Sequence, residues 1–114
     1  MSKLKSQVEH IISNLENGIE ITEDDLHYDD NYEVGDMLSG YDYLTDALDI
    51  EYITTSDKQY KGARVLVCFG GPNVWINTRT QQVEGYWWGE QCIMSYSKDL
   101  LDLDACLHDL FECQ

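Results

Sequence analysis

Apolar residues recur with a helical period at the start of the chain. Leu4, Val8, Ile11, Ile12 and Leu15 fall at i, i+4, i+7, i+8 and i+11, which predicts a helix over residues 3–17 with one apolar face. Ser2 can cap its start, and Asn17-Gly18 can end it. Residues 19–35 are less regular. Thr22, followed by Glu23, Asp24 and Asp25, reads as a short helix start, and Asp29-Asp30-Asn31-Tyr32-Glu33 reads as a loop. The helical period returns over residues 36–48, where Met37, Leu38, Tyr41, Leu44 and Leu48 share a face, which assigns Tyr41 to the core. Asp42, Asp46 and Asp49 form a stripe beside it.

From Ile50 the period becomes that of a strand. Glu51–Thr55 is one candidate, and a polar turn follows at Asp57–Gly62. Arg64–Phe69 is apolar on both faces and is expected to be the central strand. Gly70-Gly71-Pro72 breaks it. Val74–Asn77 and Val83–Trp88 read as a hairpin joined by residues 78–82, and Gln91–Tyr96 adds a fifth strand. A last helix is expected over residues 99–112, with Leu100, Leu103, Leu107 and Leu110 on its apolar stripe, Phe111 beside them, and Ser97 or Asp99 as its cap. The order predicts an α+β fold: N-terminal helices, an antiparallel β-meander of four to five strands, and a C-terminal helix packed on one sheet face. The 114 residues fit a single domain.

Charge changes the picture most. The chain carries 22 Asp and Glu against 7 Lys and Arg, a formal net charge of −15. A net charge of magnitude about 2–8 is enough to keep a small domain soluble. The excess is concentrated: from Ser6 to Asp57 there is no Lys or Arg, while fifteen acids occur. Such a single-sign field steers encounter with a basic partner and rejects acidic ones, so direct binding to nucleic acid or to an anionic membrane surface is excluded. The bland alternative is a solvated face that mimics nothing. Tyrosines are interleaved with the acids, and tyrosine suits interfaces because it adds contact area with a polar tip. The candidate partner-binding residues are therefore Tyr28, Asp29, Asp30, Tyr32, Glu33, Asp36, Asp42, Tyr43, Asp46 and Asp49. Trp87 and Trp88 are adjacent and must face opposite ways in a strand. One packs beneath the helices, and the other is left on the open face, where Trp75 can join it. Trp75, Trp87 and Trp88 are thus a second candidate interface, for a homodimer or a partner.

Catalytic and metal signatures are weak. Gly70-Gly71-Pro72-Asn73 lacks the lysine and the following helix of a phosphate loop. The acids of residues 29–36 lack the glycine placement and final bidentate acid of a calcium loop. Cys106, His108 and Cys113 match no common zinc spacing. No serine or cysteine sits in a nucleophile motif. The expectation is a non-enzymatic protein with no metal and no cofactor. The longest apolar run, Val65 to Phe69, is too short to span a bilayer, and MSKLKSQVEH lacks a signal-peptide core. A cytoplasmic location in a bacterial cell is expected, with Cys68, Cys92, Cys106 and Cys113 reduced.

The small size, the acid-only half and the Tyr/Asp interleaving resemble anti-defence proteins of phages and mobile elements, of the anti-CRISPR and anti-restriction kind that imitate DNA. Gly70-Gly71-Pro72-Asn73-Val74-Trp75-Ile76-Asn77-Thr78, followed by Val83-Glu84-Gly85-Tyr86-Trp87, is also similar to a stretch of small uncharacterised proteins of such elements. The resemblance implies an inhibitor that occupies a basic nucleic-acid-binding surface on a host defence protein or nuclease complex. It transfers no functional residue. The alternative is an immunity-type or adaptor protein that binds a basic partner without imitating nucleic acid.

Overall fold

A computed structural model of the chain describes residues 3–24 and 32–114. Its elements are α1 (Lys3–Asn17), α2 (Gly40–Thr45), β1 (Asp49–Thr54), β2 (Tyr60–Cys68), β3 (Asn73–Asn77), β4 (Gln82–Trp87), β5 (Glu90–Ser95) and α3 (Leu103–Glu112). The strands form one antiparallel sheet in the order β1-β2-β3-β4-β5, and α1 and α3 cover one face of it. This is the expected α+β architecture, with five strands.

The apolar stripe of α1 does what its spacing predicts. Leu4, Val8, Ile11, Ile12 and Leu15 are buried against the sheet. Gly85 lets the helix approach: a Cβ there would stand 2.7 Å from a Val8 methyl and 2.8 Å from a Leu4 methyl. Val65, Val74, Ile76 and Val83 supply the sheet side of the same core, and Leu101, Leu103, Cys106 and Leu107 close it from α3. The β3–β4 loop is fixed by side chains. Asn77 Oδ1 accepts the N–H groups of Arg79 and Thr80 at 3.0 and 3.1 Å, and the Thr78 hydroxyl accepts the Ala63 N–H at 2.9 Å.

Four expectations need correction. The helix over residues 36–48 shrinks to α2. Its upstream half is extended: Ile21 N–H donates to the Asp36 carbonyl at 2.6 Å, and Leu38 N–H to the Ile19 carbonyl at 2.8 Å. Its downstream half turns into β1, where Leu48 N–H donates to the Leu66 carbonyl at 2.9 Å. These ladder bonds compete with the helix and win at both ends. Consequently Tyr41 and Leu48 are exposed, and Tyr41 is not a core residue. Second, Arg64–Phe69 belongs to β2, one strand away from the centre; β3 is central because one strand precedes β2 and three follow it. Third, α3 begins at Leu103. Leu101 and Leu103 are both buried two positions apart, a spacing no single helical face provides, and Asp102 between them adopts a left-handed φ of 55°. Leu100 is left exposed, and neither Ser97 nor Asp99 is the N-cap. Fourth, Trp88 lies beyond β4, in the turn to β5, and is not a strand residue. The expected helix start at Thr22 is a short 3-10 turn at residues 23–24; Ser2, Asp25 and residues 29–31 lie outside the described residues.

Candidate partner-binding surfaces

Helices α2 and α3 build the acidic side. Ser39 caps α2 by accepting the Asp42 N–H at 3.1 Å. Gly40 then packs closely on the start of α3, where a Cβ would stand 2.7 Å from Cys106 Sγ and would collide with the Leu101 carbonyl oxygen. This contact sets α2 against α3, and neither helix contains Lys or Arg. The acids of α3 thereby join those of α2, a neighbourhood that the separation of 60 residues along the chain conceals.

Tyrosine hydroxyls hold these carboxylates. Tyr32 Oη donates to Asp42 Oδ2 at 2.7 Å and accepts the Ser39 N–H at 2.8 Å. Tyr41 Oη donates to Asp109 Oδ2 at 2.9 Å, and Tyr60 Oη to Asp104 Oδ1 at 2.6 Å. The bonds shift the phenols in the expected direction: Asp109 raises Tyr41, while burial and then Asp104 raise Tyr60. A lysine in the same place would cancel the charge. A neutral phenol fixes the carboxylate and leaves the charge intact. Tyr60 is itself held by stacking on His108, with ring centres 4.7 Å apart, and by Tyr52 and Phe111 at 6.5 and 5.7 Å.

The other candidate acids are spread more widely. Asp36 Oδ2 accepts the Glu33 N–H at 2.9 Å, and Asp49 opens β1 on the far side of the sheet from the helices. Tyr43 is half-buried and Asp46 exposed. Both line a cleft of about 310 Å³ between α1, residues 19–21 and the end of β2, with Ile11, Ile21, Leu38 and His10. Tyr28, Asp29 and Asp30 lie outside the described residues.

The uncovered face of the sheet carries a network that sequence reasoning missed apart from Trp75. Strand alternation and register place Arg64, Trp75, Glu84 and Asn77 there together. The Arg64 guanidinium lies 4.3 Å from the Trp75 ring centre. It donates to Glu84 Oε1 at 2.9 Å and to Glu51 Oε1 at 3.3 Å. Glu84 also accepts from Asn77 Nδ2 at 3.0 Å and from the Tyr86 hydroxyl at 3.1 Å. Burial pushes the Glu84 carboxyl up, but the bonds from Asn77, Arg64 and Tyr86, with the charge of Arg64, outweigh it and leave the pKa below the usual range. The signal available in the sequence was a lone arginine in a strand with acids in the neighbouring ones. Around this network the face is neutral: Asn73, Gln82, Gln91, Ile93 and Ser95 complete its β3–β5 part.

Of the tryptophans, Trp75 alone belongs to that face. Trp87 lies on the helix side, with Lys3 Nζ 5.5 Å from its ring centre. Trp88 and Gly89 form a two-residue turn with φ of 53° and 79°, and Trp88 is 86% exposed. Phe69, 72% exposed, stands in the β2–β3 turn at the same end of the sheet. Among the described residues no three His, Cys, Asp or Glu side chains converge on a metal position, and no helix is long and apolar enough to cross a membrane. Comparison with protein families, with characterised proteins and with solved structures finds no match.

Proposed function

We propose that the protein is a non-enzymatic inhibitor that presents fixed carboxylates to a basic, nucleic-acid-binding surface of another protein, in the manner of a DNA mimic acting inside a bacterial cell. One observation carries the reading: three carboxylates on the side formed by α2 and α3 are each held by a tyrosine hydroxyl, in helices that contain no Lys or Arg. Ordering acidic side chains on binding opposes association, and a carboxylate already in place avoids that loss. A partner lined with Lys and Arg for phosphates meets a charged surface with its geometry set in advance.

The test separates geometry from charge. Replacing Tyr32, Tyr41 and Tyr60 with Phe removes the three hydroxyls and leaves the net charge unchanged. A partner captured from a bacterial lysate and identified by mass spectrometry should bind this variant at least tenfold more weakly, a loss of about 1.4 kcal/mol. Duplex DNA should displace the wild-type protein, and binding should weaken steeply with salt. A partner indifferent to DNA, to salt and to the triple substitution removes the mimic. A partner sensitive to salt but not to DNA supports the adaptor alternative.

A further inference from the structure

We infer that the open face of the sheet is where two copies of this chain meet. The inference is independent of the acidic surface. Its first support is charge. Exposed carboxylates stand on α1, α3, β1 and the loops, and two copies of net charge −15 repel wherever those are brought together. Among the described residues, the β3–β5 part of the open face holds one carboxylate, Glu84, which is buried and paired with Arg64. A basic partner would have no use for a neutral face on so acidic a protein, whereas a second copy requires one.

The arrangement of the remaining charge selects an orientation. Asp49 and Glu51 lie on β1, at one edge of the face, while Gln91, Ile93 and Ser95 lie on β5 at the other. A two-fold axis parallel to the strands lays β1 of each copy over β5 of the other, so the acids face uncharged residues. An axis across the strands would stack β1 on β1 and oppose the acids directly. Both axes keep the strands of the two sheets aligned, so charge decides between them. It brings the turn holding Trp88 in one copy toward the turn holding Phe69 in the other, because both turns stand at the same end of the sheet.

The area suffices. Five strands spaced by ~4.8 Å, averaging about six residues that each rise ~3.4 Å, give a face of roughly 500 Å² in projection. Trp88, which lines a concavity with Asn73, Tyr86 and Gln91 at the end of this face, extends it toward the ~800 Å² per partner of a standard interface. Trp75, Tyr86 and Arg64 provide the residue types that dominate binding at such centres.

Sedimentation of the full chain from about 5 to about 500 µM should show a monomer–dimer equilibrium. It should hold or strengthen with added salt, because screening relieves repulsion between the copies. That sign is opposite to the one expected for a basic partner. Gln91→Glu with Ser95→Glu should weaken the dimer at least tenfold by facing the acids of β1 in the second copy. Gln91→Lys with Ser95→Lys should tighten it. Both positions are exposed, so thermal melts should show each variant folded. A monomer throughout the concentration range, or a dimer whose affinity ignores both pairs of substitutions, overturns the inference.

Discussion

Glu84 shows how much one side chain settles. It sits on a face that none of the described helices covers, yet it is 8% exposed because Arg64, Asn77 and Tyr86 converge on it. Replacing it with Ala removes the closer of the guanidinium's two acceptors and leaves the Asn77 amide without its own. The expected loss is about 2–3 kcal/mol, measured by urea denaturation, since hydrogen bonds to a charged group contribute ~1.5–3 kcal/mol. Glu84 was not legible in the sequence, where it is one of 22 acids and only the register reveals its partners. Leu107 was legible, because its place on the helical stripe already marked it as core. It is fully buried, and Leu107→Ala should cost about 2–5 kcal/mol in the same assay. Trp88 is a contrasting case. A bulky residue at φ 53° is strained, and this two-residue hairpin turn favours Asn or Gly there. Trp88→Asn should raise stability by about 0.5–1 kcal/mol, read as a higher melting temperature.

At the level of elements, periodicity fared well where one force decided the outcome. Helix α1 and the five strands appear close to their expected places because the burial of one face dictates each of them. It failed where backbone bonding competed with a helical pattern. Met37, Leu38, Tyr41 and Leu44 have the right spacing, but the backbone of residues 35–38 is committed to a ladder with residues 19–21. The tyrosine–aspartate pairs were half legible: their interleaving stood out, while their role as donors to carboxylates depends on α2 packing on α3. Packing of α1 on the sheet depends on Gly85, whose neighbours Val8 and Leu4 leave no room for a larger side chain. Gly85→Val should force the helix outward and cost about 1–3 kcal/mol, with loss of near-ultraviolet circular dichroism before helix content.

For the whole molecule, acidity and stability oppose each other over most of the pH range. Lowering the pH from neutrality reduces the repulsion of a −15 chain and should first stabilise it. Two carboxylates reverse the trend. Glu16, held low by the backbone and side chain of Ser97, and Glu84 both have folded pKa values depressed below their ordinary 4.5. Their contribution is therefore complete above 4.5 and lost as the pH falls through the folded values. Melting temperature should peak near pH ~5–6 and drop below ~4. In alkali the sign is opposite: burial raises Tyr60 and Tyr96 above the ordinary phenol value of 10.0, so what they contribute is present below that value and lost above it.

The two long helices cross over in the order of synthesis. Helix α1 is made first but packs on β4 and β5, and α3 is made last but packs on β2. A growing chain on the ribosome therefore carries α1 with its apolar face unmatched until residues 82–95 have emerged, and the β2 side of the core stays open until α3 follows. Folding during translation should wait until α3 has emerged, and nascent chains stopped before residue 98 should be readily cut by protease. A late collapse of this kind makes residues 99–112 the step that commits the sheet to its native packing, although they contain fewer core positions than α1 and the sheet.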